Sequence, residues 1–388
     1  MNVLHVIPAI APRYGGPSDA VISLAKGLTR KGVNVVIATT DADGSGRLSV
    51  PMSGLTEQFG VSVRFFPRQF SEAFKYSGPL ARWLHDHVND FDVVHIHAVF
   101  SHSSVAAYKA CISKGVPYLI RPLGTLDPAT LAHKSLRKRL FSAIWGRHML
   151  SGAGGIHYST KREKQDVEGS LNLARGFVLP IGIDGDCIRE RPEDPQKCVS
   201  TAEEHPPYIV FLGRLDPIKN IESLIDAFSR VAHIGALGDW QLLIAGDGKS
   251  NYVESLKKRA LQSKCGRRIL FPGWLSGASK RNTLANAEML ASTSRHESFG
   301  RSVTEAMSLG TPVLIADEVF IADDVREYGA GWVVSGEPEE LCRALEQAMT
   351  DVDGRQRRGR SARRLVSDRF DGEQSTEKMI EHYAAMLR

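Results

Sequence analysis

Two glutamates eight positions apart, Glu297 and Glu305, flank a Phe-Gly pair in the stretch RHESFGRSVTEAMSLGTPV. Carboxylates accept hydrogen bonds from the hydroxyls of a sugar or ribose, whereas they repel phosphate. The basic counterpart lies upstream, where YIVFLGRL runs into GRLDPIKN and supplies Arg214 and Lys219 just before a helix expected near Asn220. An arginine fork, a flexible lysine and a helix amino end converge naturally on phosphate oxygens. Solvated charges at a helix start would explain that loop equally well on its own. A single glutamate could likewise be only a helix-terminal charge; the pair around Phe299 and Gly300 is harder to dismiss. Near the start, HVIPAIAPRYGGPSDAV sets Tyr14, Gly15, Gly16 and Pro17 between a strand and a helix. Gly16 lets a backbone amide approach a ligand closely, and Pro17 suits a first helical turn, although a Gly-Gly pair is most often just a turn.

These loops need a scaffold. Short Val- and Ile-rich runs (NVLHVI, NVVIAT, FDVVHIHA, PYLIRP, GIHYST) alternate with amphipathic segments, the pattern of a parallel sheet wrapped by helices. The periodicity lapses over DCIRERPEDPQKCVSTAEEHPP and resumes with YIVFLGRL, WQLLIAG, RILFPGW, EMLAST and TPVLIAD. A length of 388 residues also favours two domains. The expectation is an α/β protein of two doubly wound halves facing across a cleft, with ligands beyond the carboxyl ends of the strands. The boundaries fall at residues 1–187, a linker at 188–207, a second domain at 208–370 and a closing segment at 371–388. In that last segment Met379, Ile380, Tyr383, Ala384 and Leu387 share one helical stripe, predicting a terminal helix docked on the body.

Composition narrows the classes. A formal charge of +5 suits an anionic ligand without identifying it, and no nucleic-acid-binding motif accompanies it. No stretch approaches the roughly 18 apolar residues of a membrane span. The opening MNVLHVIPAI lacks a basic leader, so a cytoplasmic location is expected. Five cysteines without CxxC spacing indicate neither disulfides nor zinc. The HIH pair, His95 and His97, suggests metal only if a third ligand joins it, and the sequence shows none nearby; His95 is expected to point into packing. LIAGDGKS resembles a phosphate-cradling loop, yet Leu243 stands where that motif needs glycine. No GxGxxG opens the first helix, which argues against a dinucleotide oxidoreductase. The helix expected from His133, over residues 133–150, sets Leu136, Leu140, Phe141, Ile144 and Trp145 on one face among Lys and Arg. It fits either packing on the sheet or a peripheral contact with anionic membrane. The run RQRRGRSARR is expected to be a solvated helix face.

The motifs YGGP, HIH, GRLDPIKN, LLIAGDG, FPGW and ESFGRSVTEAMSLGTPV, spread over nearly the whole chain, resemble the retaining nucleotide-sugar glycosyltransferases of family 4, also called group 1, with the two-Rossmann GT-B fold. The resemblance implies an enzyme that moves a sugar from a nucleoside diphosphate donor to a hydroxyl of an acceptor glycan, free or lipid-linked, in cell-surface polysaccharide synthesis. It implies that Arg214 and Lys219 hold the diphosphate, Gly16 adds a backbone contact, Glu297 binds donor-sugar hydroxyls and Glu305 the ribose. Amides around Phe299, Gly300 and Arg301 would line the sugar, those around Ser302 and Val303 the diphosphate, and Trp274 and Leu275 the base. No metal and no cofactor are implied, because fixed cations and helix dipoles stabilise the leaving group. One departure is Leu123, which precedes Gly124 where many relatives have histidine. His97 and Arg121 become candidates for its catalytic part, and His97 and Asp127 for acceptor contact. Two other functions stay open at this point: a nucleotide-sugar epimerase of the same fold, and a non-catalytic sugar-nucleotide binding subunit.

Overall fold

The computed structural model describes residues 1–70, 72–127, 146–171, 173, 175–180, 182–183, 206–233 and 237–388. Apolar runs that alternate with helices become two sheets. The first holds β1 (Asn2–Ala9), β2 (Asn34–Thr40), β5 (Thr56–Gln58), β6 (Val61–Phe66), β7 (Val93–His97), β8 (Tyr118–Arg121), β9 (Gly155–Tyr158) and β10 (Gly176–Val178). Their order is β10-β9-β8-β7-β1-β2-β6-β5, parallel throughout except for the β5–β6 pair. A small hairpin, β3 (Ala42–Asp43) with β4 (Gly46–Arg47), stands apart. The second sheet holds β11 (Tyr208–Leu212), β12 (Gln241–Ala245), β13 (Ile269–Gly273), β14 (Met289–Ser292), β15 (Val313–Ala316) and β16 (Gly331–Val334). It runs β13-β12-β11-β14-β15-β16, all parallel. Helices cover both faces of such sheets, so β7, β14 and β15 are buried at every residue. The strand order reverses between β1 and β7 in one sheet and between β11 and β14 in the other, and loops beyond those strand ends are where open α/β sheets bind ligands.

The chain divides into two compact units, Met1–Gly182 with Gly372–Arg388, and Ile183–Asp371. Residues 188–205 of the expected linker lie outside the described residues, as do residues 133–145 of the segment considered for membrane contact. Among the described residues no helix is long and apolar enough to cross a membrane.

The terminal helix Gly372–Met386 belongs to the first unit. Met379 and Tyr383 are fully buried against Val3, Ile7, Val21 and Leu119. Leu387 breaks the expected stripe and is exposed, because the helix stops one residue before it. This helix crosses Gly16–Arg30 so closely that a Cβ on Gly27 would sit 2.3 Å from Thr376 Oγ1. Gly27→Val should therefore destabilise the first unit by about 1–3 kcal/mol through overpacking. Thermal unfolding checks this, and Thr376→Ala in the same chain should restore part of the loss.

The arginine run meets the sequence expectation of a solvated face only in part: Arg357, Arg360 and Arg364 are exposed, and the others are not. It lies on the helix Val352–Arg369, where Arg355 is buried, pairs with Glu288 at 2.7 Å and donates to the carbonyls of Ala348 and Met349. Arg358 stacks on Trp332, and Arg363 donates to the Leu309 carbonyl at 2.9 Å. Leu309 ends the helix Arg301–Ser308, so a fixed cation stabilises the negative end of that helix. Arginines spaced along a helix can reach backbone carbonyls of neighbouring elements, and charge patterning alone does not reveal it.

Candidate functional site

In the second unit the loops leaving β11 and β14 are tied together. The Arg295 amide donates to the Ile218 carbonyl at 2.9 Å, and Thr293 Oγ1 donates to the carbonyls of Lys219 and Asn220 at 3.2 and 2.9 Å. Arg295 also reaches the Asn220 side chain. Asp216 caps the short 3-10 turn Pro217–Lys219 by accepting from the Ile218 amide. These straps bring Lys219 Nζ into a direct ion pair with Glu297, both largely screened from water.

Arg214 is held differently. Its neighbours Gly213 and Leu215 donate to the carbonyls of Ala245 and Asp247, so the backbone is pinned while the side chain projects outward, 64% exposed, near Asp216. The glycines of LIAGDG make that approach possible: a Cβ at Gly246 would lie 1.8 Å from the Gly213 carbonyl oxygen. The GDG sequence thus serves β-loop packing instead of cradling phosphate.

Gly300 precedes the helix Arg301–Ser308 with φ 80°, a left-handed conformation costly for other residues. A Cβ there would also meet Val303, Val319 and Glu297 within 3.5 Å. The turn therefore presents the helix amino end beside Glu297. Phe299 is buried and packs edge-on against Phe370, which anchors the turn, and Val303 is also buried. Only their backbones can face a ligand. On the next turn Glu305 pairs with Lys280 at 3.0 Å and with Arg301 at 3.3 Å. Lys280, on the helix Gly277–Ala285, went unnoticed in the sequence because nothing local marks it; its partner lies 25 residues away. Trp274 is 43% exposed in the loop that joins β13 to this helix, followed by Leu275. The structure thus gathers Lys219, Glu297, Gly300, Arg301 and Glu305 at the β11–β14 reversal point, with Arg214 five residues before Lys219 on the β11 loop.

In the first unit Gly16 starts the helix Gly16–Arg30 at the end of the β1 loop. Leu123 and Gly124 both adopt positive φ, and the Gly124 amide donates to buried Glu163 at 2.8 Å, as does the Ser159 amide. Glu163 is thereby a backbone clamp, and burial raises its pKa despite those bonds.

His97, Arg121 and Asp127 are all enclosed, with at most 3% exposure. His97 Nε2 lies 2.8 Å from His5 Nδ1, and His95 Nδ1 lies 2.7 Å from the Tyr383 hydroxyl. The sequence offered no third ligand beside the HIH pair, but the parallel register supplies one, since His5 on β1 pairs with His95 on β7. Ligand nitrogens of His5, His95 and His97 fall within 4.8 Å of one another. His157 extends the cluster 5.4 Å from His95. Arg121, in register with His97, adds to burial in depressing the pKa values of His5, His97 and His157. His5 and His97 share a hydrogen bond within the cluster. Burial chiefly pushes His5 down to about 3 and the others well below their ordinary range.

Residues 193–365 match the family described as glycosyl transferases group 1, and residues 15–182 match a glycosyl transferase 4-like domain. The chain is 32% identical over 402 residues to a GDP-mannose-dependent alpha-mannosyltransferase of Mycolicibacterium smegmatis, covering 100% of this chain and 98% of that one. It is 25% identical over 398 residues to a GDP-mannose:cellobiosyl-diphosphopolyprenol alpha-mannosyltransferase of Xanthomonas oryzae, covering 99% and 96%. Its fold is similar to that of HepE from Anabaena, solved with UDP and glucose, at TM-score 0.79 and 20% identity over 99% of this chain and 100% of that one. Two Rossmann-like sheets, the matched families and a full-length relative above 30% identity agree: the chain belongs to the group 1, family 4 glycosyltransferases of the GT-B fold.

Proposed function

We propose that the second unit binds a nucleoside diphosphate sugar and the first unit an acceptor glycan, and that the sugar passes to an acceptor hydroxyl with retention of anomeric configuration. The observation that carries this reading is the Lys219–Glu297 pair beside the amino end of Arg301–Ser308. A diphosphate placed there meets Lys219, Arg214 and the positive amino end of the helix around Ser302 and Val303, which stabilise the charge of the leaving group. Glu297 then accepts from hydroxyls of the donor sugar, and Glu305 from the ribose. Trp274 and Leu275 stand on the loop assigned to the base. Gly16, at the amino end of the first helix, offers a backbone amide within the first unit. Fixed cations and helix amides supply what a divalent metal supplies elsewhere, so transfer should persist in chelator. With no protein carboxylate assigned as nucleophile, same-face attack lets the leaving phosphate take the acceptor proton. The curated mannosyltransferase relatives favour a hexosyl donor and a glycan or lipid-linked glycan acceptor of the cell surface.

The test is a thermal-shift panel of UDP, GDP and ADP with their sugars, because a ligand that binds only the folded state raises Tm. At least one nucleotide should raise Tm by several degrees in the wild type and far less in Glu305→Ala. A flat panel removes the donor-site reading. Transfer products of the α-linked kind from an α-linked donor, read by anomeric coupling constants, support retention. Donor converted to a second free nucleotide sugar without acceptor indicates an epimerase.

A further inference from the structure

The β6 loop of the first unit carries three aromatic residues at its surface. Phe70 is 86% exposed, Phe74 and Tyr76 each 37%. Tyr76 lies 5.7 Å from Phe70 and 4.2 Å from His102, and Phe74 lies 5.9 Å from His102 edge-on. His102 opens the helix His102–Lys114 beyond β7, so the cluster joins two loops at the carboxyl ends of strands. Exposed aromatic groups collected in one place mark an interaction site, whereas scattered ones need no explanation.

The loop is built to hold these rings still. Phe70 and Lys75 both adopt positive φ, 60° and 48°. Such strain persists only where surrounding contacts enforce it. Here the Gln69 amide donates to the Tyr76 carbonyl at 2.6 Å, the Gly78 amide to the Gln69 side chain at 2.9 Å, and the His102 amide to the Phe74 carbonyl at 3.0 Å. Glu72 gathers Arg68, Lys75 and the Tyr14 hydroxyl into one knot. Tyr14 stands two residues before Gly16, so the knot ties the ring-bearing loop to the β1 loop, at the β1–β7 reversal point where this sheet should bind its ligand. Because the Ser77 amide donates to His102 Nδ1, the neutral imidazole carries its proton on Nε2 as a donor.

We propose that Phe70, Phe74, Tyr76 and His102 form a carbohydrate platform that takes a sugar ring of the acceptor against its aromatic faces. The proposal rests on the reading that the first unit holds an acceptor glycan. A pyranose offers an apolar C–H face to an aromatic ring and hydroxyls around its rim, which match the Tyr76 hydroxyl and His102 Nε2–H. Prearranged rings lose little freedom on binding. A bilayer contact instead wants unengaged cations beside its apolar residues, and in this loop Arg68 and Lys75 are engaged by Glu72.

The experiment uses the full chain with three probes: cellotetraose, an α-linked mannotetraose, and vesicles of phosphatidylglycerol and phosphatidylcholine. Irradiating aromatic protons should transfer saturation to at least one oligosaccharide. The signal should fall at least fivefold in Tyr76→Ala and in Phe70→Ser, the latter too exposed to disturb folding. Unchanged circular dichroism and an unchanged thermal transition of the first unit certify the fold of the variants. No transfer to either sugar, equal transfer in wild type and variants, or vesicle flotation that the variants lose each overturns the platform. A flat nucleotide panel alongside a persistent, ring-dependent sugar signal removes the donor-site reading and leaves the platform standing.

Discussion

Lys219→Ala is expected to lower kcat/KM for sugar transfer by about a hundredfold to a thousandfold, the cost of removing one fixed donor from a site of developing negative charge. In the ligand-free arrangement Lys219 neutralises Glu297. A diphosphate draws the ammonium toward itself, and Glu297 gains freedom to accept sugar hydroxyls. The two residues therefore exchange partners as the donor binds. Two consequences separate them. Lys219→Ala should raise donor KM and lower kcat together, since the lysine meets phosphate in both ground and transition states. Glu297→Ala should chiefly lower kcat, because the hydroxyl contact orients the anomeric carbon more than it secures the nucleotide. The double variant should lose less than the product of the single losses, as residues in direct contact are not additive. Steady-state kinetics on the two singles and the double decide the matter. Donor affinity and rate within threefold of wild type in both singles would remove these roles.

The parts of this site legible in the sequence share one property: they sit next to a strand end that the periodicity itself locates. Arg214 and Lys219 follow YIVFL, and Glu297 follows EMLAST by a few residues, so the doubly wound order brings them to one edge once β11 and β14 are neighbours. The terminal helix was legible for the same reason, through the spacing of Met379 and Tyr383. What escaped depends on contacts between distant segments. Lys280 reaches Glu305 across two helices, and Glu72 meets Tyr14 across 58 positions. His5 and His95 meet through strand register, and Tyr383 joins them from 288 positions beyond His95. Composition also misled: arginines in RQRRGRSARR look solvated until the carbonyls and the Trp332 ring beside them are known. A histidine at a strand end, as His97 is, is as well placed for packing as for chemistry, so its type and position alone do not assign it.

Acidification should unfold the first unit well before the second, because the four imidazoles of His5, His95, His97 and His157 are buried and held neutral in the first unit, and the second has no buried histidine among the described residues. Their folded pKa values lie below the ordinary 6.5, His5 at about 3, through burial first and neighbouring charge second. The unfolded chain therefore binds more protons below pH 6.5, and stability falls as pH drops from there; above it these groups add no slope. At pH 5.5 each imidazole that stays neutral costs on the order of 1 kcal/mol, and the four together on the order of 5 kcal/mol, a large share of a typical domain's stability. Glu163 opposes the trend, because its raised pKa lets the folded state take up a proton as pH falls, but one carboxyl cannot offset four imidazoles. Calorimetry should show the transition of the first unit falling by about 10 °C or more between pH 7.5 and 5.5, at roughly 2–4 °C per kcal/mol, while the second unit moves less. His157→Gln keeps an amide donor for the Leu179 carbonyl, which the His157 Nε2 now contacts at 2.8 Å, and removes one titrating group. Its pH slope should be shallower than that of the wild type. A wild-type shift under 2 °C, or an unaltered slope in the variant, would mean that the imidazoles accept protons in place, with Tyr383 and Arg121 rearranging around them.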